Sequence, residues 1–251
     1  MELGLQGKVA VVTGCGSQIG FGKAIALALA REGCDIVAND IDLEGAQKTA
    51  AEVEALGQKA VALKVDVTRW EDVTAMTRAA LDRFGKIDIL VNNAGSCTPP
   101  KPFLKMTEDE WNRDIAVNLN GTMLCTKAIL PHMNERKSGK MVNITSGAGI
   151  HGGMYTYGYA AAKAGVIAFS KGVAKEAARN NININLVSPG IANTGFARQA
   201  PPGLLENAVK SIPLGRLTDV KDIANAVVFL ASDAASDIIG QILVVTGSVE
   251  P

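Results

Sequence analysis

A short apolar run, a glycine-rich turn and a helical pattern follow one another near the start of the sequence. The run Lys8–Thr13 is rich in β-branched residues, as strands buried in a parallel sheet are. Four glycines fall within Gly14–Gly22, and Lys23–Glu32 is rich in alanine and leucine. Such a turn can bind a pyrophosphate, because glycine lets the backbone approach and the helix N-terminus offers free N–H groups. The alternative is a tight turn that needs glycine for its geometry alone.

The alternation of strand and helix continues to the end of the chain and predicts an α/β fold with a parallel sheet. Further strands are predicted at Asp35–Asn39, Lys59–Val65, Ile87–Val91, Met141–Ile144, Ile182–Val187 and Ile242–Val245. Helices are predicted at Leu43–Leu56, Trp70–Phe84, Thr107–Asp114, Val117–Met133, Gly158–Arg179 and Asp219–Ala231. Ser188-Pro189-Gly190 is predicted to interrupt the regular secondary structure. The proline-rich segment 191–215 is predicted to form an irregular lid over the substrate.

Charge and composition limit the partners and compartments to consider. The chain has 25 basic and 25 acidic residues and no run of like charges, which argues against nucleic acid and anionic membrane surfaces as partners. It has no apolar run near the roughly 20 residues that span a bilayer, and its N-terminus resembles no leader, so a cytoplasmic location is expected. The four cysteines lack metal-ligand spacing, and no metal site is predicted. No composition shift or repeat marks a boundary, which predicts a single domain over residues 1–251.

An acidic residue follows the second predicted strand. Asp40 lies about 20 residues beyond the glycine turn, where a carboxylate can accept hydrogen bonds from the ribose hydroxyls of an adenosine. Its charge would repel a 2′-phosphate, and neither the turn nor Ile41 supplies an arginine for one. NAD is therefore favoured over NADP. A surface aspartate after a strand is the alternative, and Asp42 either adds to this selection or caps the next helix.

Tyr159 and Lys163 are four positions apart, so a helix places them on one face about a turn apart. A free phenol has a pKa of about 10, and a neighbouring ammonium favours the phenolate and lowers that pKa toward the working range of a base. Because this spacing is common by chance, the alternative is an ordinary core tyrosine beside a solvated lysine.

The sequence resembles the classical short-chain dehydrogenases/reductases over essentially its whole length. The motifs that carry the resemblance are Thr13-Gly14 with Gly20-Phe21-Gly22, Asp66, Asn92-Asn93-Ala94-Gly95, Asn118, Ser146, Tyr159-x-x-x-Lys163, and Pro189-Gly190 with Thr194. Two departures stand out. Five residues, Cys15–Ile19, separate Gly14 from Gly20 where the family has three, and the C-terminal Val-Thr-Gly-Ser replaces the common Val-Asp-Gly-Gly. The resemblance implies a Rossmann-like doubly wound sheet of about seven strands with helices on both faces.

The resemblance also implies the role of each residue. Tyr159, as phenolate, takes the hydroxyl proton of an alcohol while the alcohol carbon gives hydride to the nicotinamide. Ser146 hydrogen-bonds the same oxygen, Lys163 tunes the phenol and binds the nicotinamide ribose, and Asn118 anchors a water that relays the proton. The implied cofactor contacts are Gly14, Gln18, Ile19, Gly20, Asp40, Asp66, Val67, Asn92, Ala94, Gly95, Tyr159, Lys163, Pro189, Gly190, Ile191 and Thr194.

The segments expected around the substrate are mostly apolar. The candidate substrate contacts are Ser146, His151, Met154, Tyr155 and Phe196, although a loop histidine without a role explains His151 equally well. Few charges fall nearby, which favours an apolar, ring-bearing secondary alcohol or a hydroxyacyl thioester. Selectivity for NAD favours the oxidising, catabolic direction.

Three classes of function remain open at this stage. An NAD-dependent secondary-alcohol dehydrogenase leads, a 3-oxoacyl thioester reductase is the second enzyme, and a non-catalytic binding subunit is the third, because the glycine turn is lengthened. The helix Gly158–Arg179 carries Ala161, Ala164 and Ala168 away from Tyr159. Such small residues permit close packing between helices and, with the resemblance, favour a homotetramer; packing within one chain is the alternative.

Overall fold

Within residues 2–194 and 203–249, which the computed structural model describes, seven parallel strands form one sheet in the order β3-β2-β1-β4-β5-β6-β7. The strands are β1 (Val9–Thr13), β2 (Asp35–Asp40), β3 (Ala60–Lys64), β4 (Ile89–Asn92), β5 (Gly139–Ile144), β6 (Ile182–Pro189) and β7 (Ile242–Val245). The parallel direction and the strand order confirm the Rossmann-like, doubly wound α/β fold that the sequence predicts.

Helices connect the strands. They are α1 (Phe21–Arg31), α2 (Leu43–Ala55), α3 (Trp70–Phe84), α4 (Glu108–Ile115), α5 (Gly121–Arg136), α6 (Gly147–His151), α7 (Tyr157–Ala177), α8 (Leu204–Ser211) and α9 (Val220–Ala231). A π-helical turn over Ala116–Asn120 joins α4 to α5. Short 3₁₀ turns cover Phe103–Lys105, Ala178–Asn180 and Asp233–Ala235.

Each face of the sheet carries its own apolar core. Ala10 and Val12 of β1 belong to a buried cluster that includes Ile25 of α1. Val11, which lies between them, belongs to a second cluster that includes Ile129 of α5. Successive residues of a strand face opposite sides of the sheet, so a sheet covered by helices on both faces needs almost continuous apolar strands.

The direction of winding reverses at β1, which pairs with β2 on one side and with β4 on the other. In sheets of this kind a crevice opens at such a reversal, outside the carboxyl ends of the strands. Thr13 and Asn92 end β1 and β4 and therefore lie at this crevice.

Two short helices and one strand end differ from the sequence-based expectations. Helix α8 lies inside the segment 191–215 that the prolines predict to be irregular, because prolines that precede a helix do not interrupt it. Helix α6 forms despite Gly147 and Gly149, because the Ser146 hydroxyl caps it by accepting from the backbone nitrogen of Ala148 at 3.2 Å. β6 extends to Pro189, two residues beyond its predicted end; Pro189 pairs with β7 alone, so its missing N–H interrupts no pairing with β5.

Candidate active site

The glycine turn after β1 is packed closely at Gly14 and Gly22, where a side chain would not fit. Gly14 has φ +75°, and a Cβ there would lie 2.8 Å from the amide nitrogen of Asn93. A Cβ on Gly22 would lie 2.0 Å from the carbonyl oxygen of Gly14, which brings the first turn of α1 against the turn. Gly20 precedes α1 without a side-chain cap, and the first turn holds no acidic residue. A helix N-terminus of this kind fits an anion such as a pyrophosphate.

The additional residues of the turn are held by α2 and by the end of β2. The Gly16 backbone nitrogen donates to Asp40 Oδ2 at 2.7 Å. Gln18 Nε2 donates to the carbonyl oxygens of Gly16 at 2.9 Å and Gly45 at 3.0 Å. The Thr49 hydroxyl donates to the Cys15 carbonyl at 2.8 Å. The lengthened turn is therefore anchored along its length.

Asp40 lies at the carboxyl end of β2 and is only half-buried. Besides the Gly16 nitrogen, its carboxylate accepts from the Asp42 backbone nitrogen at 3.0 Å. Asp42 caps α2 by accepting from the Gly45 nitrogen at 3.2 Å, so capping is the role of Asp42 that the structure shows. A negative charge thus lies beside the glycine turn, where the sequence analysis expects the adenosine ribose.

The next two predicted cofactor positions follow β3. The Asp66 carboxylate accepts from the backbone nitrogen of Thr68 at 2.9 Å and from its hydroxyl at 2.7 Å. Val67 is buried against the start of α5, where a Cβ on Gly121 would lie 2.7 Å from a Val67 methyl. The carboxyl ends of β3 and β1 therefore share one edge of the sheet with the glycine turn.

Asn92, another predicted cofactor contact, is held within the core by its amide nitrogen, while its amide oxygen is buried without a hydrogen-bond partner among the described residues. Its side chain is 3% exposed, and its amide nitrogen donates to Asn143 Oδ1 at 2.8 Å and to the Thr126 hydroxyl at 3.3 Å. The Asn143 amide in turn donates to the Ser170 hydroxyl at 2.8 Å. The Asn92 amide nitrogen therefore joins β4 to β5 and α5 in the core.

The segment after β4 is fixed to β1 by a threonine hydroxyl. Thr13 Oγ1 accepts from the backbone nitrogens of Asn93 and Ala94, both at 2.9 Å. The Asn93 amide donates to the Thr13 carbonyl at 2.8 Å and to the Gly14 carbonyl at 3.1 Å. The sequence predicts no role for Thr13 or Asn93, although both belong to the motifs that carry the resemblance.

Tyr159 and Lys163 lie on α7, one turn apart, with the Lys163 ammonium 5.7 Å from the centre of the Tyr159 ring. The Ser146 hydroxyl, at the end of β5, is hydrogen-bonded to the Tyr159 hydroxyl. Lys163 is 4% exposed, and its ammonium donates to the Ile144 carbonyl at 2.8 Å. The spacing of four therefore places Tyr159 and Lys163 on one face of α7, as the sequence predicts, and Tyr159 meets Ser146 there.

Asn118 lies within the π-helical turn, close to Lys163. Its amide nitrogen donates to the Ser96 carbonyl at 2.6 Å and to the Asp114 carbonyl at 2.8 Å. Its amide oxygen is buried and has no hydrogen-bond partner among the described residues. A Cβ on Gly95 would lie 2.7 Å from that oxygen and 3.7 Å from the Lys163 ammonium, so only glycine fits between them. Helical turns of the π type occur frequently at functional sites.

Burial sets the acidity of the central pair. It raises the pKa of Tyr159 to about 12, while the hydrogen bond with Ser146 lowers it and the nearby Cys97 and Asp114 raise it. Burial also lowers the pKa of Lys163 to about 8. The direction for Tyr159 is opposite to the one that its lysine neighbour predicts, because loss of water around the phenolate is the largest influence on its pKa. A neutral phenol, which can donate a proton, is the form favoured at neutral pH.

The remaining cofactor positions follow β6. A Cβ on Gly190 would lie 2.4 Å from the Thr218 hydroxyl. The backbone at Gly190 therefore passes close to Thr218, which precedes α9. Pro189 ends β6 beside it, and Ile191 is 44% exposed. Thr194 is buried, and its backbone nitrogen donates to the Ala192 carbonyl at 2.8 Å.

Three substrate candidates, His151, Met154 and Tyr155, lie at the end of α6 and in the loop that leads to α7. All three are exposed, and Tyr155 has the left-handed φ of +66°. Phe196, the fifth candidate, lies outside the described residues, as does the rest of the lid over 195–202.

The other reactive side chains have different roles. Burial raises the pKa of the Cys97 thiol to about 12, which disfavours a thiolate. His132 Nε2 accepts from the Ile87 backbone nitrogen at 3.2 Å, before the start of β4 and away from Tyr159. The described part of the chain holds no group of three or more histidine, cysteine or acidic residues placed to bind a metal. Among its helices, none is both long enough and apolar enough to cross a membrane.

Comparisons with known proteins agree with this geometry. The family model described as enoyl-(acyl carrier protein) reductase matches residues 14–249. A 3-oxoacyl-[acyl-carrier-protein] reductase from Thermotoga maritima is 37% identical and covers 98% of both chains. The chain belongs to the short-chain dehydrogenase/reductase family. It is therefore an oxidoreductase that acts on CH–OH groups with a nicotinamide cofactor.

Two further members of the family extend the range of substrates. The BbsD subunit of a (2S)-[(R)-hydroxy(phenyl)methyl]succinyl-CoA dehydrogenase from Thauera aromatica is 39% identical and covers 98% of this chain and 97% of its own. A 7α-hydroxysteroid dehydrogenase, solved with NADH and 7-oxo glycochenodeoxycholic acid, superposes with a TM-score of 0.93 at 34% identity and covers 98% of this chain and 95% of its own. The names of both short-chain dehydrogenases describe ring-bearing substrates.

Proposed function

We propose that this enzyme interconverts a secondary alcohol and a ketone by hydride transfer with NAD, and that its substrate is apolar and ring-bearing or a hydroxyacyl thioester. The observation that carries the proposal is the meeting of the Ser146 hydroxyl, the Tyr159 phenol and the Lys163 ammonium at the carboxyl edge of the sheet. Met154 and Tyr155, in the loop before α7, offer exposed apolar surface.

When bound, the nicotinamide supplies or accepts the hydride; the side chains supply the proton and the orientation. We assign Ser146 and Tyr159 to hold the substrate oxygen between their hydroxyls. During ketone reduction Tyr159 donates its proton to that oxygen, and during alcohol oxidation it takes the proton back. Lys163 faces the Tyr159 ring and, with the amide of Asn118 beside it, gives the proton a polar route away from the phenol.

We assign the glycine turn Gly14–Gly22 to the pyrophosphate, because the backbone at its four glycines carries no side chain and the turn leads into an uncapped helix. Asp40 supports NAD rather than NADP. Its charge lies beside that turn, and a 2′-phosphate there would meet a carboxylate. The positions around Asp66, Ala94, Gly190 and the other predicted contacts remain our assignment for the rest of the dinucleotide.

Calorimetric titration of NAD and NADP into the purified protein tests the cofactor proposal. We expect NADP to bind at least about tenfold more weakly than NAD, and Asp40→Ser to narrow that difference. Asp42→Ser is the matched control, because it removes a neighbouring charge that caps α2. Stronger binding of NADP by the wild-type protein would contradict the NAD assignment, and with it the oxidising direction.

Turnover tests the reaction. Ring-bearing secondary alcohols and a β-hydroxyacyl coenzyme A are offered with NAD, and the corresponding ketones with NADH, while the absorbance of NADH is followed. Tyr159→Phe should abolish the signal in each case. The reductase from Thermotoga maritima favours 3-oxoacyl thioester reduction as the second candidate. Preference for a 3-oxoacyl thioester with a reduced cofactor would select it over the dehydrogenase.

The lengthened glycine turn is the reason to consider a non-catalytic binding subunit, although the family to which the chain belongs is one of oxidoreductases. Against it stand the four side chains Asn118, Ser146, Tyr159 and Lys163, which lie together at the crevice, and the contacts that anchor the turn. Failure to bind either nucleotide would support the binding subunit.

For the assembly we propose a single domain that forms a homotetramer in the cytoplasm. The exposed alanines of α7, Ala161, Ala164 and Ala168, support the tetramer because such a surface allows helices of two copies to approach closely. Light scattering after size exclusion gives the mass directly, and a monomer would contradict the proposal. The partners we propose are the small-molecule substrate and cofactor, with no nucleic acid or membrane.

A further inference from the structure

Asp114, in the last turn of α4, is a buried acid beside the proposed catalytic residues. It is fully buried, yet its carboxylate has three hydrogen-bond donors. Oδ1 accepts from the Thr98 backbone nitrogen at 2.9 Å, and Oδ2 accepts from the Thr98 hydroxyl at 3.0 Å. The third donor is the backbone nitrogen of Tyr159. A buried carboxylate with several donors is held in one position.

The third hydrogen bond, from the Tyr159 backbone nitrogen to Asp114, lies in the first turn of α7. The first N–H groups of a helix have no partners within the helix and are usually bonded by a side chain just before it. Thr156 occupies that place in α7 but makes no side-chain cap hydrogen bond, and the first turn of α7 holds no acidic residue. Asp114 therefore supplies the cap from a different helix, and it does so at Tyr159 itself.

The packing of α4 on α7 leaves little freedom around this contact. A Cβ on Gly158 would lie 2.8 Å from the Trp111 Cα and 3.0 Å from Asp114 Oδ2. The Asp114 carbonyl accepts from the Asn118 amide at 2.8 Å. One residue thus contacts the segment after β4, the π-helical turn and the first turn of α7.

We propose that Asp114 is a positioning residue, which fixes Tyr159 against Ser146 by capping the first turn of α7 and places a negative charge beside the phenol. This inference rests on the proposed function, because positioning matters only if Tyr159 transfers the proton. The charge favours the neutral phenol, which is the form that donates a proton during ketone reduction.

The ionisable groups that face Tyr159 are Asp114 from α4, Cys97 from the segment after β4, and Lys163 from its own helix. Asp114 and Cys97 raise the pKa of Tyr159. Burial raises the pKa of Asp114 itself, while the bonds from Thr98 and Tyr159 and the charge of Arg113 lower it. Removal of the Asp114 charge should therefore lower the pKa of Tyr159.

Asp114→Asn tests the inference, with Asp109→Asn as the control because Asp109 is an exposed acid on the same helix. We expect the acid limb of the pH profile for alcohol oxidation to move down by about one pH unit in Asp114→Asn. We expect kcat at saturating substrate to fall about tenfold, with KM for NAD unchanged. Asp109→Asn should match the wild type in both. An acid limb that stays in place in Asp114→Asn overturns the inference, since lost packing alone would not move it.

Amide hydrogen exchange of Tyr159, followed by NMR without substrate, measures the cap separately. Exchange should be at least about tenfold faster in Asp114→Asn than in the wild type, and unchanged exchange would overturn the capping contact. If the wild type turns over no alcohol or ketone, the proposed function fails while the exchange measurement still decides the cap.

Thr98→Val keeps the inference testable if Asp114→Asn does not fold. It removes the hydroxyl donor to Asp114 Oδ2 with little change of shape, so the carboxylate is held less firmly against the Tyr159 backbone nitrogen. Exchange of the Tyr159 amide should become faster and kcat should fall, each by less than in Asp114→Asn. Exchange and kcat equal to those of the wild type would count against the inference.

Discussion

At the scale of single residues, the placement of Tyr159 and Lys163 and the pKa values of their side chains have different origins. The spacing of Tyr159 and Lys163 places both on one face of α7. Their acidity depends instead on surroundings contributed by β5, by α4 and by the segment after β4, because burial dominates both pKa shifts. Sequence spacing predicts which groups meet, and only their environment decides which form they take.

The pKa values predict opposite pH dependence for the two directions of reaction. Alcohol oxidation needs the Tyr159 phenolate, and burial raises the pKa of Tyr159 to about 12, so the oxidation rate should rise steadily from pH 7 to pH 10 or so. Ketone reduction needs the neutral phenol and should be nearly constant around pH 7. NADH absorbance at a series of pH values measures both. An oxidation optimum at or below pH 7 would show that the bound cofactor reverses the effect of burial.

Tyr155 combines exposure with a strained backbone. It adopts φ +66°, which is unfavourable for a residue with a Cβ, and it lies next to Met154, which has no such strain. Tyr155→Gly should leave the midpoint of thermal unfolding unchanged or higher, whereas Met154→Gly should lower the stability by about 0.5–1 kcal/mol. If Tyr155 contacts a ring-bearing substrate, kcat/KM for that substrate should fall in Tyr155→Gly relative to a small aliphatic alcohol. Equal loss of stability in both variants would contradict the argument from strain.

At the scale of elements, α7 depends on close approach to its neighbours. Gly158 contacts the backbone of α4, whereas a Cβ on Gly172, three turns or more along the same helix, would meet nothing within 4 Å. Gly158→Ala should push α7 away from α4 and lower kcat about tenfold or more, because Tyr159 follows directly. Gly172→Ala should leave kcat unchanged and stabilise the helix by up to about 1 kcal/mol. Steady-state kinetics and urea unfolding compare the pair, and equal activity of the two variants would refute the role of Gly158.

The lengthened glycine turn shows which features of an element the sequence predicts and which it does not. The order strand, turn, helix is confirmed, as is the need for glycine at Gly14 and Gly22. The sequence leaves the effect of the insertion open, because Asp40, Gly45 and Thr49 hold it from positions distant in the chain. Likewise, prolines predict an irregular segment 191–215. Helix α8 forms within it because the prolines lie before and after the helix and do not interrupt it.

At the scale of the whole molecule, a buried ion pair fastens the edge of the sheet opposite the crevice. Asp88 is 4% exposed; it accepts from the Val9 backbone nitrogen at 2.9 Å and from Arg136 at 2.7 Å, and Lys86 lies 3.1 Å away. Burial alone would raise the pKa of Asp88, but the bonds from Arg136, Val9 and Lys86 outweigh it and lower the pKa. The group therefore joins β1, β4 and the end of α5.

Asp88→Asn should lower the free energy of unfolding by about 2 kcal/mol at pH 7, because it leaves Arg136 without its partner. A carboxyl whose pKa is lowered by folding stabilises above the ordinary carboxyl pKa of about 4, and that contribution is lost as pH falls below it. The difference in the free energy of unfolding between wild type and variant should therefore be largest at pH 7 and decrease toward pH 3. Urea unfolding at both pH values measures it, with the exposed Asp82→Asn as control. A gap that grows on acidification would contradict the assigned direction.

The sequence by itself determined the α/β alternation, the glycine turn, the Tyr159–Lys163 spacing and the family, because these features depend on local periodicity and on short motifs. The tertiary structure alone decided the anchoring of Cys15–Ile19, the core position of the Asn92 amide, the cap that Asp114 provides for α7 and the raised pKa of Tyr159. Each of these depends on burial or on contacts between residues far apart in the chain. Such contacts are fixed only when the helices pack onto the sheet.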